Sequence, residues 1–196
     1  ISAMGKNTRE VAKNLYQGKC GLYHDKVREH YLSELCGRVT GWEGDYSKKL
    51  TRTQLNSMPL HGFYVLDTVF EALRKAKISD DFLQNHNVSV IVSNDSECYE
   101  TKEVVHHVDY DLNNRYLEAG TLFKTLNSAI SMNLATILGI HGLSLTVSAA
   151  CAGGGHAIGL AKMLLDSKQT EMVIVVGTQE TTSQYSMEAF DALRVF

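Results

Sequence analysis

The sequence predicts an α/β layered fold in which parallel strands are buried on both faces. Two apolar runs, residues 143–149 and 172–176, flank a segment of helical periodicity at 152–166, and a third, β-branched run lies at 88–92. Alternating helices and nearly continuous apolar strands are typical of such a sheet. The 196 residues suit one medium domain or part of a larger one, and no repeat or low-complexity linker divides them.

The N-terminal quarter predicts one helix followed by irregular chain. The apolar spacing of residues 8–16 predicts a helix, with Thr8 as its N-cap and Gly18 as the residue that ends it. The side chains expected to face inward are Val11, Ala12 and Leu15. Residues 19–54 are mixed and polar, which favours an irregular surface segment.

Two longer helices are predicted in the middle of the chain. Pro59, the only proline, is placed in the first turn of a helix that runs to about residue 77. Its core-facing residues at helical spacing are Phe63, Leu66, Val69, Phe70 and Leu73. A second helix, 122–138, would end at Gly139 and Gly142. Its apolar stripe consists of Leu126, Ile130, Leu134 and Ile137.

Residues 95–116, between these helices, are polar. The adjacent His106 and His107 invite a metal interpretation. Neighbouring residues point in different directions on a strand or a helix, so the two rings cannot easily share one ion. We therefore expect a solvated loop or helix surface here, and no metal site.

Composition and charge limit the functional class. The net charge of −3 argues against nucleic-acid binding, which requires a basic surface. No apolar stretch approaches the roughly 18 residues that span a bilayer, and nothing resembles a secretory signal, while the start at Ile1 suggests a missing upstream piece. The four cysteines form no C-x-x-C pair, which argues against zinc and disulfides. We expect a cytoplasmic protein without membrane or nucleic-acid partners.

Cys151 is the main candidate for chemistry because it stands where a predicted strand meets a glycine-rich helix start. A tight turn there would expose the side chain, and the free N–H groups and positive dipole end of the helix would face it. A thiol so placed ionises more easily, and the thiolate is the nucleophile. Space for a substrate is left by the small residues Ala152, Gly153, Gly154 and Gly155. An isolated cysteine is more often a small buried apolar residue, so the context carries this prediction.

Residues 149–159 read AACAGGGHAIG, with Cys151 among small residues. This segment resembles the nucleophile segment of the β-ketoacyl-(acyl carrier protein) synthase family, a member of the thiolase-like superfamily. Residues 2–5 and 15–21 are similar to its opening motifs, and residues 190–194, FDALR, to the segment with a mobile gating phenylalanine. The resemblance runs end to end and implies a thiolase-like layered α/β/α/β/α fold.

The resemblance implies that Cys151 takes an acyl chain from a carrier-protein thioester. The acyl group would then condense with the carbanion formed by decarboxylation of a malonyl thioester, in fatty-acid, polyketide or polyene synthesis. The backbone N–H of Cys151 would donate to the oxyanion of each tetrahedral intermediate. Phe190 would stand at the acyl pocket and move on loading, with an ordinary core aromatic as the alternative. The family needs no metal or organic cofactor for this reaction.

The resemblance also implies that residues 1–196 are the N-terminal domain of a longer enzyme. The family's first strand would precede Ile1. Its decarboxylating histidines, their lysine and the second oxyanion donor belong to the C-terminal half. We therefore expect this stretch alone to be inactive, with the other half in the same chain or supplied separately.

Departures from the family pattern concern the substrate more than the nucleophile. Ala149 and Gly153 replace the Thr and Ser that usually flank the cysteine, and residues 58–61 replace a polar helix start. A specialised polyketide or polyene pathway is expected. His156, five residues after Cys151, would point away from the thiol, and packing or a hydrogen bond along the helix is its expected role.

Two other functions remain as alternatives. One is a non-catalytic partner subunit similar to the chain-length factors, or an inactive ketosynthase fragment; such partners typically replace the nucleophile that Cys151 retains. The other is a nucleotide-binding oxidoreductase with a phosphate loop at Gly153, Gly155 and Gly159, but this spacing misses G-x-G-x-x-G.

A dimer is expected through residues 143–149. The family pairs subunits along the strand that leads into the nucleophile, either as a homodimer or as a heterodimer with a related subunit. Pairing would also cover an apolar edge strand that is otherwise an aggregation hazard.

Overall fold

The computed structural model describes residues 1–96, 98–110, 119–181 and 183–194. It divides into two compact units, each described by itself. The first consists of Ile1–Gly44 with the described residues from Thr181 onward, and the second of Asp45–Glu180.

The helices and strands of the described residues are, in chain order, α1 (Thr8–Tyr16), β1 (Tyr23–His24), β2 (Leu35–Cys36), α2 (Arg52–Ser57), α3 (Leu60–Ala76), α4 (Asp80–Asn85), β3 (Val88–Ser93), α5 (Cys98–Val105), α6 (Thr121–Lys124), α7 (Ala129–Leu138), β4 (Ser144–Val147), α8 (Gly153–Asp166), β5 (Met172–Gly177) and α9 (Gln184–Ala192).

In the first unit, α1 has the predicted bounds but a different cap. The side chain of Asn7 accepts a hydrogen bond from the N–H of Glu10 at 2.9 Å, so Asn7 and not Thr8 is the cap. Gly18 has a left-handed φ of 65° and follows the helix end as predicted. The predicted inward face is wrong, because no residue of α1 is buried and Leu15 is 61% exposed.

The segment after α1 is mostly irregular, as the sequence predicted, and a short antiparallel pairing of β1 with β2 interrupts it. Two hydrogen bonds join this segment to α9. The hydroxyl of Tyr31 donates to Glu188 at 3.1 Å, and the N–H of Leu32 donates to Asp191 at 2.7 Å. The first unit therefore brings together parts of the chain that are far apart in sequence.

The second unit contains the predicted parallel sheet, with strand order β4–β3–β5. Val90 of β3 pairs with Ser144, and Val88 pairs with Met172, both in parallel register. All six residues of the central strand β3 are buried, which fits its continuous apolar sequence. The strand before Cys151 is shorter than the predicted 143–149, because the chain turns away from β3 after Val147.

Helices α7 and α8 lie on opposite faces of this sheet. Leu145 and Val147 of β4 pack against a buried cluster that includes residues of α8. Thr146, between them, exchanges a hydrogen bond of 2.8 Å with Ser131 of α7. Since alternate residues of a strand point to opposite faces, the layered α/β arrangement is confirmed. The buried cluster consists of Ile91, Ala157, Ala161 and Leu164.

Helix α3 buries a face rotated from the predicted one. Pro59 stands at the N-cap, one position before the helix, and Lys77 ends it in the left-handed conformation. The buried face consists of His61, Gly62, Val65, Leu66 and Val69. Phe70, predicted to lie in the core, is 36% exposed. The spacing alone fits both stripes, and tertiary packing, including the contact of α3 with α7, selects the buried one.

The single helix predicted at 122–138 is wrong. Helix α6 ends at Lys124, and α7 begins at Ala129. The hydroxyl of Thr125 donates to the carbonyl of Leu122 at 2.7 Å, a local bond of the kind that competes with helix continuation. Leu126 is consequently 39% exposed, whereas Ile130 and Leu134 are fully buried as predicted.

The polar stretch 95–116 forms α5 and a π-helical turn, His106–Tyr110, and residues 97 and 111–116 lie outside the described residues. His106 is exposed, in agreement with a solvated surface. In the described ranges, no group of His, Cys, Asp and Glu side chains is arranged to hold a metal ion. Likewise, no helix within those ranges is long and apolar enough to cross a membrane.

Candidate active site

Cys151 lies at the junction of strand and helix that the sequence predicted. It is the middle residue of a single 3₁₀ turn, Ala150–Ala152, between the end of β4 and the start of α8. Its thiol is free and exposed. Ala152, at the N-cap of α8, has no side-chain oxygen to accept from the first N–H groups of this helix. The positive end of the α8 dipole therefore acts on the residues of this turn.

The residue before Cys151 has a strained backbone. Ala150 has a φ of 45°, in the left-handed region, although it carries a Cβ. This conformation costs about 1–2 kcal/mol for a residue other than glycine. Strain of this kind persists where the surrounding structure fixes the backbone, and it is concentrated at functional sites. The sharp turn that it creates presents Cys151 outside the sheet.

Gly153 allows α8 to start against the end of β3. A Cβ at this position would lie 2.2 Å from the hydroxyl oxygen of Ser93, which is far inside contact distance. At Gly154 and Gly155 a Cβ would meet nothing within 4 Å. The glycine-rich sequence thus serves two purposes, a close approach at Gly153 and open space beside the next two residues.

The segment that follows β3 is hydrogen-bonded to the residues just before the turn that contains Cys151. Its residues were not predicted as part of the site. The N–H of Asn94 donates to the carbonyl of Val147 at 3.3 Å, which extends the β3–β4 pairing by one residue. The hydroxyl of Ser148 donates to the carboxylate of Asp95. The sequence distinguishes Asn94 and Asp95 only as polar residues that follow the β-branched run 88–92. The signal that could have found them is their position at the carboxyl end of a parallel strand.

A buried polar cluster lies beneath this segment. Asn94 is 1% exposed; its side chain donates to the carbonyl of Asn127 at 3.2 Å and accepts from the N–H of Ser96 at 3.2 Å. His61 of α3 hydrogen-bonds to the same Asn94 side chain, and burial lowers the pKa of His61. The Nε2 atom of His61 is buried without a hydrogen-bond partner. The charge of Glu180, which follows β5, raises the pKa of His61 and so opposes the effect of burial.

Phe190 and Cys151 belong to different units, and each is placed only within its own. Phe190 lies on α9 in the first unit and is 37% exposed. His156 is exposed on α8, which does not support packing, the first of its two expected roles. Cys20 is also exposed and Cys36 is buried, and both are free.

The chain matches the family model described as "Beta-ketoacyl synthase, N-terminal domain" over residues 1–196. A curated relative, 3-oxoacyl-(acyl carrier protein) synthase 1 of Buchnera aphidicola subsp. Acyrthosiphon pisum, is 27% identical over 205 residues. The match covers 99% of this chain and 48% of the relative. The chain therefore spans about half the length of the curated relatives that it matches.

Solved ketosynthases share the fold. The ishigamide ketosynthase/chain length factor superposes with a TM-score of 0.82 at 17% identity, over 98% of this chain and 48% of the solved one. A type II PKS acyl-carrier protein in complex with its ketosynthase, bound to the hexaketide, gives a TM-score of 0.80 at 16% identity, over 98% and 46%. The thiolase-like fold predicted from the sequence is confirmed.

Proposed function

This chain belongs to the β-ketoacyl synthase family, and from that premise we propose that the protein containing it catalyses decarboxylative Claisen condensation, with Cys151 as the acyl acceptor. The observation that supports this proposal is the exposed thiol on the strained turn at the start of α8. The substrates are an acyl thioester and a malonyl thioester of a carrier protein. The products are a β-ketoacyl thioester, carbon dioxide and the free thiol of the carrier that delivered the acyl group.

The chemistry divides into two steps. In the first, the Cys151 thiolate attacks the carbonyl carbon of the acyl thioester, and collapse of the tetrahedral intermediate expels the carrier thiolate. In the second, the malonyl thioester loses carbon dioxide, and the resulting enolate attacks the acyl carbonyl and expels the Cys151 thiolate. The first step exchanges one thioester for another of similar energy. The backbone N–H of Cys151 is proposed to donate to both oxyanions.

A mass measurement tests the first step. The protein that contains this chain is incubated with an acyl-carrier-protein thioester, and the masses of its cysteine-containing peptides are measured by mass spectrometry. The acyl mass is expected on Cys151, and the Cys151→Ala variant is expected to take none. Cys20 provides an internal control, because it is exposed but does not stand at the start of a helix. Acyl mass on both cysteines alike, or on neither, contradicts the proposal.

Phe190 is proposed, from the family resemblance, to gate the acyl pocket. Phe190 lies on α9 and is 37% exposed. Phe190→Ala is expected to change the preferred acyl chain length in competition between short and long acyl thioesters. Phe190→Leu is the matched variant that keeps an apolar side chain, and an unchanged preference in both variants contradicts the gate.

The partners and compartment follow from the same proposal. A carrier protein supplies both thioesters, which is supported by the solved ketosynthase in complex with its acyl-carrier protein. The free thiols of Cys20, Cys36 and Cys151 support a reducing compartment, the cytoplasm.

A dimer is proposed through β4, which is at one edge of the described sheet. The retained Cys151 argues against a chain-length-factor role.

A further inference from the structure

We infer that Asp95 is a positioning residue for Cys151: through the hydroxyl of Ser148 it holds the turn 148–151 in the conformation that presents the thiol to the start of α8. This inference rests on the proposed function, since it concerns the residue that would accept the acyl group. Asp95 does not act on the substrate itself.

The turn needs a restraint of this kind because its backbone is strained. Ala150 is in the left-handed region, and a free chain would relax from it. The end of β4 is fixed by the bond from Asn94 N–H to the Val147 carbonyl. After the strained residue, the N–H of Ala152 donates to the carbonyl of Ala149 at 3.1 Å. Ser148 lies between these two bonds, and its hydroxyl bond to Asp95 joins the turn to the β3 side of the site.

Asp95 can act as a restraint because its own backbone is fixed. The residue before it, Asn94, is buried, and its side chain has three hydrogen-bond partners. They are the carbonyl of Asn127 just before α7, the N–H of Ser96, and His61 of α3. The residue after it, Ser96, is 2% exposed and accepts from the N–H of Glu180 at 2.6 Å. The half-buried Asp95 carboxylate is therefore presented from a rigid segment.

Direct electrostatic action of Asp95 on the thiol would have the opposite sign. A carboxylate near a thiol disfavours the thiolate, so removal of its charge alone would make Cys151 more reactive. Restraint through Ser148 predicts lower reactivity on removal of Asp95, because the loosened turn lets the thiol leave the positive end of α8. The two roles are therefore distinguished by the direction of the change.

The test measures alkylation of Cys151 by iodoacetamide in the whole protein, with Cys20 as the reference thiol in the same sample. Asp95→Ala and Ser148→Ala are each expected to slow the alkylation of Cys151 by about three- to tenfold, the equivalent of one net hydrogen bond, and to leave Cys20 unchanged. Because both variants remove the same bond, the double variant is expected to be no slower than either single one. Asp95→Asn keeps an acceptor oxygen and is expected to stay close to the parent rate.

Several results overturn the inference. They are faster alkylation in Asp95→Ala, additive effects in the double variant, equal slowing in Asp95→Asn and Asp95→Ala, or equal slowing at Cys20, which would show that the effect is not specific to Cys151. The readout needs no acyl substrate, so it separates this inference from the proposed function. Failure of acyl transfer with the expected alkylation pattern contradicts only the proposed function. Normal acyl transfer with unchanged alkylation in Asp95→Ala contradicts only the role of Asp95.

Discussion

At the residue scale, Gly153 sets the distance between α8 and the end of β3. Gly153→Ala would force its new Cβ into the Ser93 hydroxyl, and we expect a loss of unfolding free energy of about 1–3 kcal/mol, as for other over-packed sites. Gly154→Ala is the matched control, because its Cβ meets open space. Chemical denaturation measures both, and equal stability of the two variants would contradict the close approach.

His61 makes the second unit sensitive to acid. Burial lowers its pKa below the usual 6.5, so the folded state binds a proton less readily than the unfolded state. Its contribution to stability is therefore present above pH 6.5 and is lost as the pH falls through the folded pKa. Glu100 acts in the opposite sense, because burial raises its pKa and its contribution is lost as the pH rises.

The acid sensitivity is tested with His61→Gln, which keeps a hydrogen-bond donor toward Asn94 without the titrating ring. Unfolding free energy is measured at neutral pH and at about pH 5, below the ordinary histidine range. The parent protein is expected to lose more stability over this interval than the variant. Identical losses would show that His61 takes up its proton equally in both states.

Sequence reasoning found Cys151 but not the residues that hold it. The proposed nucleophile has a local signature, an apolar run followed by small residues, and this pattern is visible without knowledge of the fold. The Ser148–Asp95 bond joins residues that are far apart in sequence, and the strained φ belongs to an alanine, which carries no signal for a left-handed conformation. Long-range side-chain bonds cannot be predicted from spacing.

At the element scale, the break between α6 and α7 decides which leucines stabilise the second unit. Leu134→Ala is expected to cost about 2–5 kcal/mol, because this side chain is fully buried in α7. Leu126→Ala is expected to cost about 1 kcal/mol or less, because the turn before α7 leaves that side chain 39% exposed. Thermal or chemical unfolding measures both. Equal costs would favour the single helix that the sequence predicted.

The strands were easier to predict than the helix faces. Runs of β-branched residues predicted β3 and β5 almost to the residue, although only β3 is buried along its whole length and β5 is mostly half-buried. Helix α3 offered two overlapping stripes, and only the tertiary structure shows that Val65 is buried while Phe70 is partly exposed. Small elements such as α4 and the β1–β2 pair have too few residues for any period to be visible.

At the scale of the whole molecule, β4 is at one edge of the described sheet, and we propose that a second subunit pairs with it there. Leu143 and Val147 accept hydrogen bonds from β3 through their carbonyls, so the backbone groups of Ser144 and Thr146, between them, point to the open edge. Ser144→Pro removes an outward N–H and leaves the bonds to β3 in place. We expect this variant to shift the protein from dimer to monomer.

Sedimentation of the parent protein, Ser144→Pro and the matched Ser144→Thr variant tests this expectation. The threonine keeps the N–H and suits a strand, so that variant should remain dimeric. A parent protein that sediments as a monomer, or a proline variant that stays dimeric, would contradict pairing through β4.

The parallel pairing in the second unit also has a consequence for the order of events during synthesis. The middle strand β3 leaves the ribosome long before either neighbour, since β4 and β5 follow it by many residues. Parallel pairing between distant segments is slow, because loop closure must precede the contacts that reward it. The nascent chain therefore exposes β3, its most deeply buried strand in the folded state, until residue 177 has emerged. A chaperone that binds this strand would protect the chain while it is being made.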